Sequence, residues 1–78
     1  MPKLVPITPF KIIKILKQLG FEEIRIKGSH HFFIHPISKK STTIPFHAGE
    51  VLGIGILKQI LRDIDLSVSE YDKLRLNK

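Results

Sequence analysis

The sequence contains no cysteine and no tryptophan. Neither a disulfide framework nor a thiolate zinc site can therefore hold the chain together. It also lacks any apolar run near the roughly 20 residues that span a bilayer; the longest, Val51 to Leu57, is interrupted by Gly53 and Gly55. Pro2, Lys3 and Pro6 deny the N-terminus the continuous apolar stretch of a secretory leader. The expectation is a soluble, cytoplasmic protein with no membrane segment. One further absence is local: no carboxylate occurs between Glu23 and Glu50.

What fills that acid-free stretch is basic. It holds Arg25, Lys27, Lys39, Lys40 and all four histidines, His30, His31, His35 and His47. Over the whole chain 13 Lys and Arg oppose 7 Asp and Glu, a formal charge of +6. A local excess of this kind attracts polyanions, of which a phosphate backbone is the commonest. With 78 residues the chain reads as one domain, residues 1–78. A domain this small hides only about 60% of its unfolded surface, so its core must be compact.

Periodicity orders the elements. Thr8 is an N-cap with Pro9 at N1, Ile7 and Ile12 form a hydrophobic staple, and Gly20 closes the helix. Ile12, Ile13, Leu16 and Leu19 form its apolar face, with Lys11, Lys14 and Lys17 on the wet side. Three strands follow, Glu22 to Lys27, His30 to His35 and Thr42 to His47, with Gly28-Ser29 as a tight turn between the first two. Pro45 lacks a donor, so the third strand is expected at an edge or with a bulge. A glycine-punctuated connector leads to a helix from about Ile56 to Ile64, and Ser67-Val68-Ser69-Glu70 is a capping box that opens a short last helix. The expected fold is α+β, α-β-β-β-α with a helical tail, both main helices covering one face of a three-stranded antiparallel sheet. Simple alternation assigns Arg25, Lys27, His31, Phe33, His35, Thr43 and His47 to the open face. A basic sheet face bearing an aromatic can grip phosphates and stack a base.

The candidate chemistry lies in the histidines. A catalytic zinc needs three protein ligands and hard cations prefer oxygen, yet the strand region offers no carboxylate beyond the first strand's start. The expectation is no metal and no cofactor. RNA cleavage needs neither, because the substrate supplies its own 2′-hydroxyl nucleophile. The enzyme must position that group, move protons and stabilise the phosphorane, and histidine suits proton transfer near neutral pH. Gly28-Ser29-His30 has this local design: a glycine that lets the backbone approach a phosphate, a hydroxyl with a turn N–H, and Lys27 beside it. The same residues also read as an ordinary hairpin turn and strand start. His47, ending a strand beside a glycine loop, suits a second role as acid or phosphate donor. His31, Lys39 and Lys40 are further RNA-contact candidates.

Several segments together resemble the HicA family of toxin–antitoxin mRNA interferases and its YcfA-like relatives. They are Leu16-Lys17-Gln18-Leu19-Gly20-Phe21, Arg25-Ile26-Lys27-Gly28-Ser29-His30-His31, Ile44-Pro45-Phe46-His47, and Gly55 to Asp63 with Leu66-Ser67. The resemblance implies a double-stranded-RNA-binding-domain-like fold, metal-independent mRNA cleavage, and inhibition by a HicB-type antitoxin. It also selects the first histidine after Gly-Ser, His30, as catalytic. Two positions depart from the family pattern: Ile56 replaces a common threonine and Asp65 a frequent glycine. Alternation conflicts with the choice of histidine, since it places His30 on the helix-covered side with Phe32 and Ile34, and His31 on the open side. His31 is accordingly the alternative. A non-catalytic RNA-binding module of the same fold is the competing function. Against duplex binding, the stretch Val51 to Ile56 holds no cation at the start of the second helix, the first being Lys58. An acidic partner that caps the basic site is the third expectation.

Overall fold

The structure is a computed structural model that describes residues 4–47 and 49–76. Pro2 and Lys3, on which the reading of the N-terminus partly rests, lie outside the described residues. The elements run α1 (Pro9–Gln18), β1 (Glu22–Lys27), β2 (His30–Ile34), β3 (Ser41–Pro45), α2 (Ile54–Asp63) and α3 (Val68–Leu76). The three strands form one antiparallel sheet in the order β1-β2-β3. This is the α+β, double-stranded-RNA-binding-domain-like arrangement expected from the sequence. Pro45 ends the edge strand β3, where its missing N–H leaves no ladder bond unmade.

The ends of α1 follow from its sequence. The Thr8 hydroxyl accepts from the Lys11 N–H at 3.4 Å. At the other end the Phe21 N–H donates to the Leu16 carbonyl at 2.9 Å and the Gly20 N–H to Lys17 at 3.1 Å. That Schellman closure requires the left-handed backbone Gly20 adopts, φ +96°. A Cβ at Gly20 would also lie 3.0 Å from the His35 ring. Helix α2 closes the same way, with Leu66 N–H to Leu61 carbonyl at 2.9 Å and Asp65 N–H to Arg62 at 3.2 Å. Asp65 takes the left-handed cap position that glycine most easily fills, at φ +58°. Helix α2 begins two residues earlier than expected, at Ile54 after an N-cap Gly53 without a side-chain cap. Of the connector glycines Gly55 therefore enters the helix while Gly53 caps it, and Ile56 falls inside its first turn rather than at its start. The Ser67–Glu70 capping box opens α3: the Ser67 hydroxyl and N–H donate to the Glu70 carboxylate, and the Glu70 N–H returns to the hydroxyl.

Helices α1 and α2 both pack on β3, and α3 packs on α1. Ile12, Leu16, Phe33, Ile44, Leu57, Ile60 and Tyr71 are fully enclosed between them. Thr42 is the buried polar residue among the described ones. Its hydroxyl donates to Asp63 at 2.9 Å, and the other oxygen of that carboxylate accepts from the Gln59 amide at 2.9 Å. The Tyr71 hydroxyl donates to the Val5 carbonyl, tying the last helix to the segment before the first. Burial raises the Tyr71 pKa above its ordinary value of 10.0, with Arg75 pulling it down and Asp72 pushing it up. Because the folded pKa is the higher, this contribution to stability is intact below about pH 10 and is lost as pH rises from there through the folded pKa. Tyr71 is the sole tyrosine, so tyrosinate absorbance should rise together with loss of helical circular dichroism in an alkaline titration. Tyr71→Phe should lower stability by about 1–2 kcal/mol and remove that alkaline component; an unchanged alkaline midpoint would contradict this account.

Candidate functional site

The β1–β2 turn fixes which side chains share a face. Gly28 and Ser29 are the only residues between the paired Lys27 and His30. Gly28 has φ +60° and Ser29 an ordinary φ, the glycine-first pattern of a type II′ hairpin turn. Residues flanking a two-residue turn stand directly opposite one another and point to the same side. Lys27 and His30 therefore share a face, and Arg25 with Phe32 follows on it. The Arg25 guanidinium lies over the Phe32 ring, 4.7 Å from its centroid. On the β3 side His30 pairs with Pro45 and Phe32 with Thr43.

This face is the open one, which corrects the alternation drawn from sequence. Phe33, assigned above to the open face, is fully buried under the helices with Ile44 and Thr42. His31 and His35 lie on its side, and His30, Phe32 and Ile34 take the open side with Arg25, Lys27 and Thr43. The reason is the composition of β2, His-His-Phe-Phe-Ile-His, which offers an aromatic to either face. Only neighbouring elements decide between the two. Strand β1 adds an irregularity: Ile24 is bulged out between Glu23 and Arg25 and is 60% exposed. That extra residue turns Glu23 toward the helix side.

The four histidines thereby separate in role. His30 is exposed, and no side-chain hydrogen bond holds its ring among the described residues. His31 bonds through Nδ1 to the Glu23 carboxylate at 2.5 Å and packs its ring on Phe46, 5.2 Å between centroids. His35 accepts the Ile37 and Ser38 N–H groups on Nδ1, each at 3.2 Å, and meets Phe21 edge-on. Its task is to hold the β2–β3 loop. His47 is exposed and leaves β3 beside the turn, where the Phe46 N–H donates to the Ser29 carbonyl at 2.7 Å.

The structure thus gathers Lys27, Gly28, Ser29 and His30 at one end of the sheet, with His47 next to them. Lys39 and Lys40 are not part of that cluster. They lie in the loop at the opposite end of β2, at least about 13 Å along the strand from His30, and Lys40 pairs with Asp65 at 3.1 Å. His31 is adjacent in sequence but on the other face. Among the described residues no three of His, Asp and Glu gather in a way that could hold a metal ion. Arg25 keeps the open-face place that alternation assigned it, whereas Phe32 is the site's unforeseen member, standing where Phe33 was expected; the hairpin register was the signal for it.

The fold and site define a small α+β domain, double-stranded-RNA-binding-domain-like in its arrangement, with an exposed histidine beside a basic turn. The family comparison is specific: the HicA toxin of bacterial toxin–antitoxin systems matches residues 11–66, and the chain belongs to that family. It is accordingly the toxin member of a toxin–antitoxin pair, with an antitoxin as partner. No curated protein matches the sequence at a significant level. No helix among the described residues is long and apolar enough to cross a membrane.

Proposed function

We propose that this toxin is a metal-independent endoribonuclease acting on mRNA, with His30 as the residue that moves the proton. The observation that carries this is the placement of His30: exposed on the open sheet face, opposite Lys27 and one residue from the Gly28-Ser29 turn. In this reading the backbone at Gly28, with no Cβ and open space around it, lets a phosphate approach the Ser29 N–H and hydroxyl. His30 accepts the proton of the 2′-hydroxyl as that oxygen attacks phosphorus. Lys27 offsets the charge that develops on the phosphorane. The bond to the 5′-oxygen breaks, leaving a 2′,3′-cyclic phosphate and a 5′-hydroxyl, with His47 positioned as proton donor to the leaving oxygen. Lys39 and Lys40 would meet the strand farther along. The scatter of His and carboxylate groups supports chemistry without a metal, since His31 and His35 are each engaged in bonds to the fold.

The test is cleavage of single-stranded RNA by the wild type and by His30→Ala, with EDTA present and the product ends identified. Cyclic phosphate ends, persistence in EDTA and loss on substitution are expected. Activity that EDTA abolishes and added metal restores would overturn the metal-free reading. Intact RNA after incubation with the wild type, combined with tight salt-sensitive binding, would instead favour a non-catalytic module.

The antitoxin is proposed to be a HicB-type protein whose acidic surface covers this face. The +6 charge and the row Arg25, Lys27, His30 support that. The purified pair should be inactive on RNA, and its dissociation constant should rise as salt is increased from low to physiological strength. An affinity indifferent to salt would exclude charge as the basis of the contact.

A further inference from the structure

We propose that the open face carries a nucleobase pocket next to His30, which holds one base of a single-stranded RNA and favours a base with an exocyclic amine. The inference extends the endoribonuclease reading, on which its place beside the cut depends. A shallow groove of about 600 Å³ runs from the open-side residues Phe32, Ile34 and Thr43 and the bulged Ile24 to the flank of α2 at Ile56 and Gln59, and it reaches Thr42 and Asp63 at the edge of the covered side. Phe32 is two residues from His30 on the same side of β2, about 6–7 Å away along the strand. That is within reach of one nucleotide of extended chain whose phosphate sits at His30.

Three features suit a base. The Arg25 guanidinium carbon stands 4.7 Å from the Phe32 ring centroid, at the border of the groove, where its charge would meet the phosphate adjoining a base held on Phe32. Ile24 and Ile56, 60% and 46% exposed, form apolar rims that nothing in the fold covers. At the wall, the Gln59 amide nitrogen donates to Asp63 at 2.9 Å. A carboxylate only accepts, so the amide orientation is forced: the nitrogen faces Asp63 and the carbonyl oxygen faces away. That oxygen has no protein donor among the described residues. It can accept from the amine of cytosine or adenine, whereas uracil presents a carbonyl at the position where cytosine carries its amine. An apolar anchor from a partner protein would leave this carbonyl and the Thr43 hydroxyl unanswered, which argues for a base as occupant.

The experiment reads binding separately from cleavage. Short 2′-O-methyl oligocytidylate and oligouridylate, which lack the nucleophile, are titrated against the wild type, His30→Ala and Gln59→Leu by fluorescence anisotropy. The cytidylate should bind the wild type and His30→Ala about fivefold more tightly, and Gln59→Leu should bind both alike. Ile56→Asp should weaken both about tenfold, because it places a charge at the rim. Gln59 and Ile56 are exposed, so circular dichroism should confirm that both variants fold. In parallel, cut sites in a randomised RNA should show an amine-bearing base at one position adjoining the break, and Gln59→Leu should erase that preference alone. Equal binding of the two oligomers by the wild type would overturn the pocket, as would a preference that Gln59→Leu retains. Variants that lose the antitoxin while keeping the base preference would reassign the groove to protein. A wild type that shows the binding preference but cuts nothing leaves the pocket standing and removes the nuclease reading.

Discussion

Replacing His30 by alanine is expected to lower the rate of the proposed RNA cleavage by about 10²–10⁴-fold, the range that a positioned proton-transfer group supplies. The same substitution should leave the melting temperature and RNA affinity close to the wild type. Both halves follow from the site. The His30 ring is exposed and anchors nothing among the described residues, so its removal opens no cavity and orphans no buried group. In the proposed reading Arg25, Lys27 and the turn backbone would still meet the phosphates, so binding should survive while turnover is lost. His31→Ala behaves in the opposite way. It breaks the bond to Glu23 and the packing on Phe46, so it lowers stability by about 1 kcal/mol without a comparable loss in rate. Steady-state cleavage of a single-stranded RNA beside thermal melts of both variants separates the two residues. A His31→Ala variant that is dead yet normally stable, with an active His30→Ala, would transfer the role to His31.

The order of elements was legible because each carried local punctuation. Thr8-Pro9, Gly20, Gly28-Ser29 and the Ser67–Glu70 box mark boundaries by backbone chemistry that acts over a few residues, and the structure keeps all of them. The assignment of faces failed because it depends on tertiary neighbours. In β2 the pairs His30/Phe32 and His31/Phe33 are nearly equal in hydrophobicity, so alternation has no preferred phase there. The bulge at Ile24 left no mark in an otherwise regular Glu-Glu-Ile-Arg-Ile-Lys strand. One signal was nonetheless present. A two-residue Gly28-Ser29 turn already obliges Lys27 and His30 to share a face, so placing Lys27 on the open side commits His30 to it as well. The start of α2 was read late because glycine at 53 and 55 disfavours helix by propensity, while the burial of Leu57, Ile60 and Leu61 overrides that preference. Nothing local could have revealed that Asp63 would bind Thr42 and Gln59, a contact that exists only once α2 lies along β3.

The assignment of faces has its own decisive measurement in two neighbouring phenylalanines. Phe33→Ala should destabilise the protein by about 3–5 kcal/mol, since it removes a fully enclosed ring and leaves a cavity among Leu16, Ile44 and Leu57. A domain of this size has total stability on the order of 5–10 kcal/mol, so the variant should melt about 15–30 °C lower or fail to accumulate. Phe32→Ala should cost only about 1 kcal/mol, because that ring is half-exposed and gives up mainly its contact with Arg25. Its larger consequence should be on RNA, through the lost stacking surface beside His30. If the open side were instead that of His31 and Phe33, the order of the two melting temperatures would reverse. Urea denaturation of the pair decides this without any substrate. The outcome bears directly on the proposed catalysis: β2 shows one face to solvent, and the imidazole on that face is the one the proposed RNA substrate would reach.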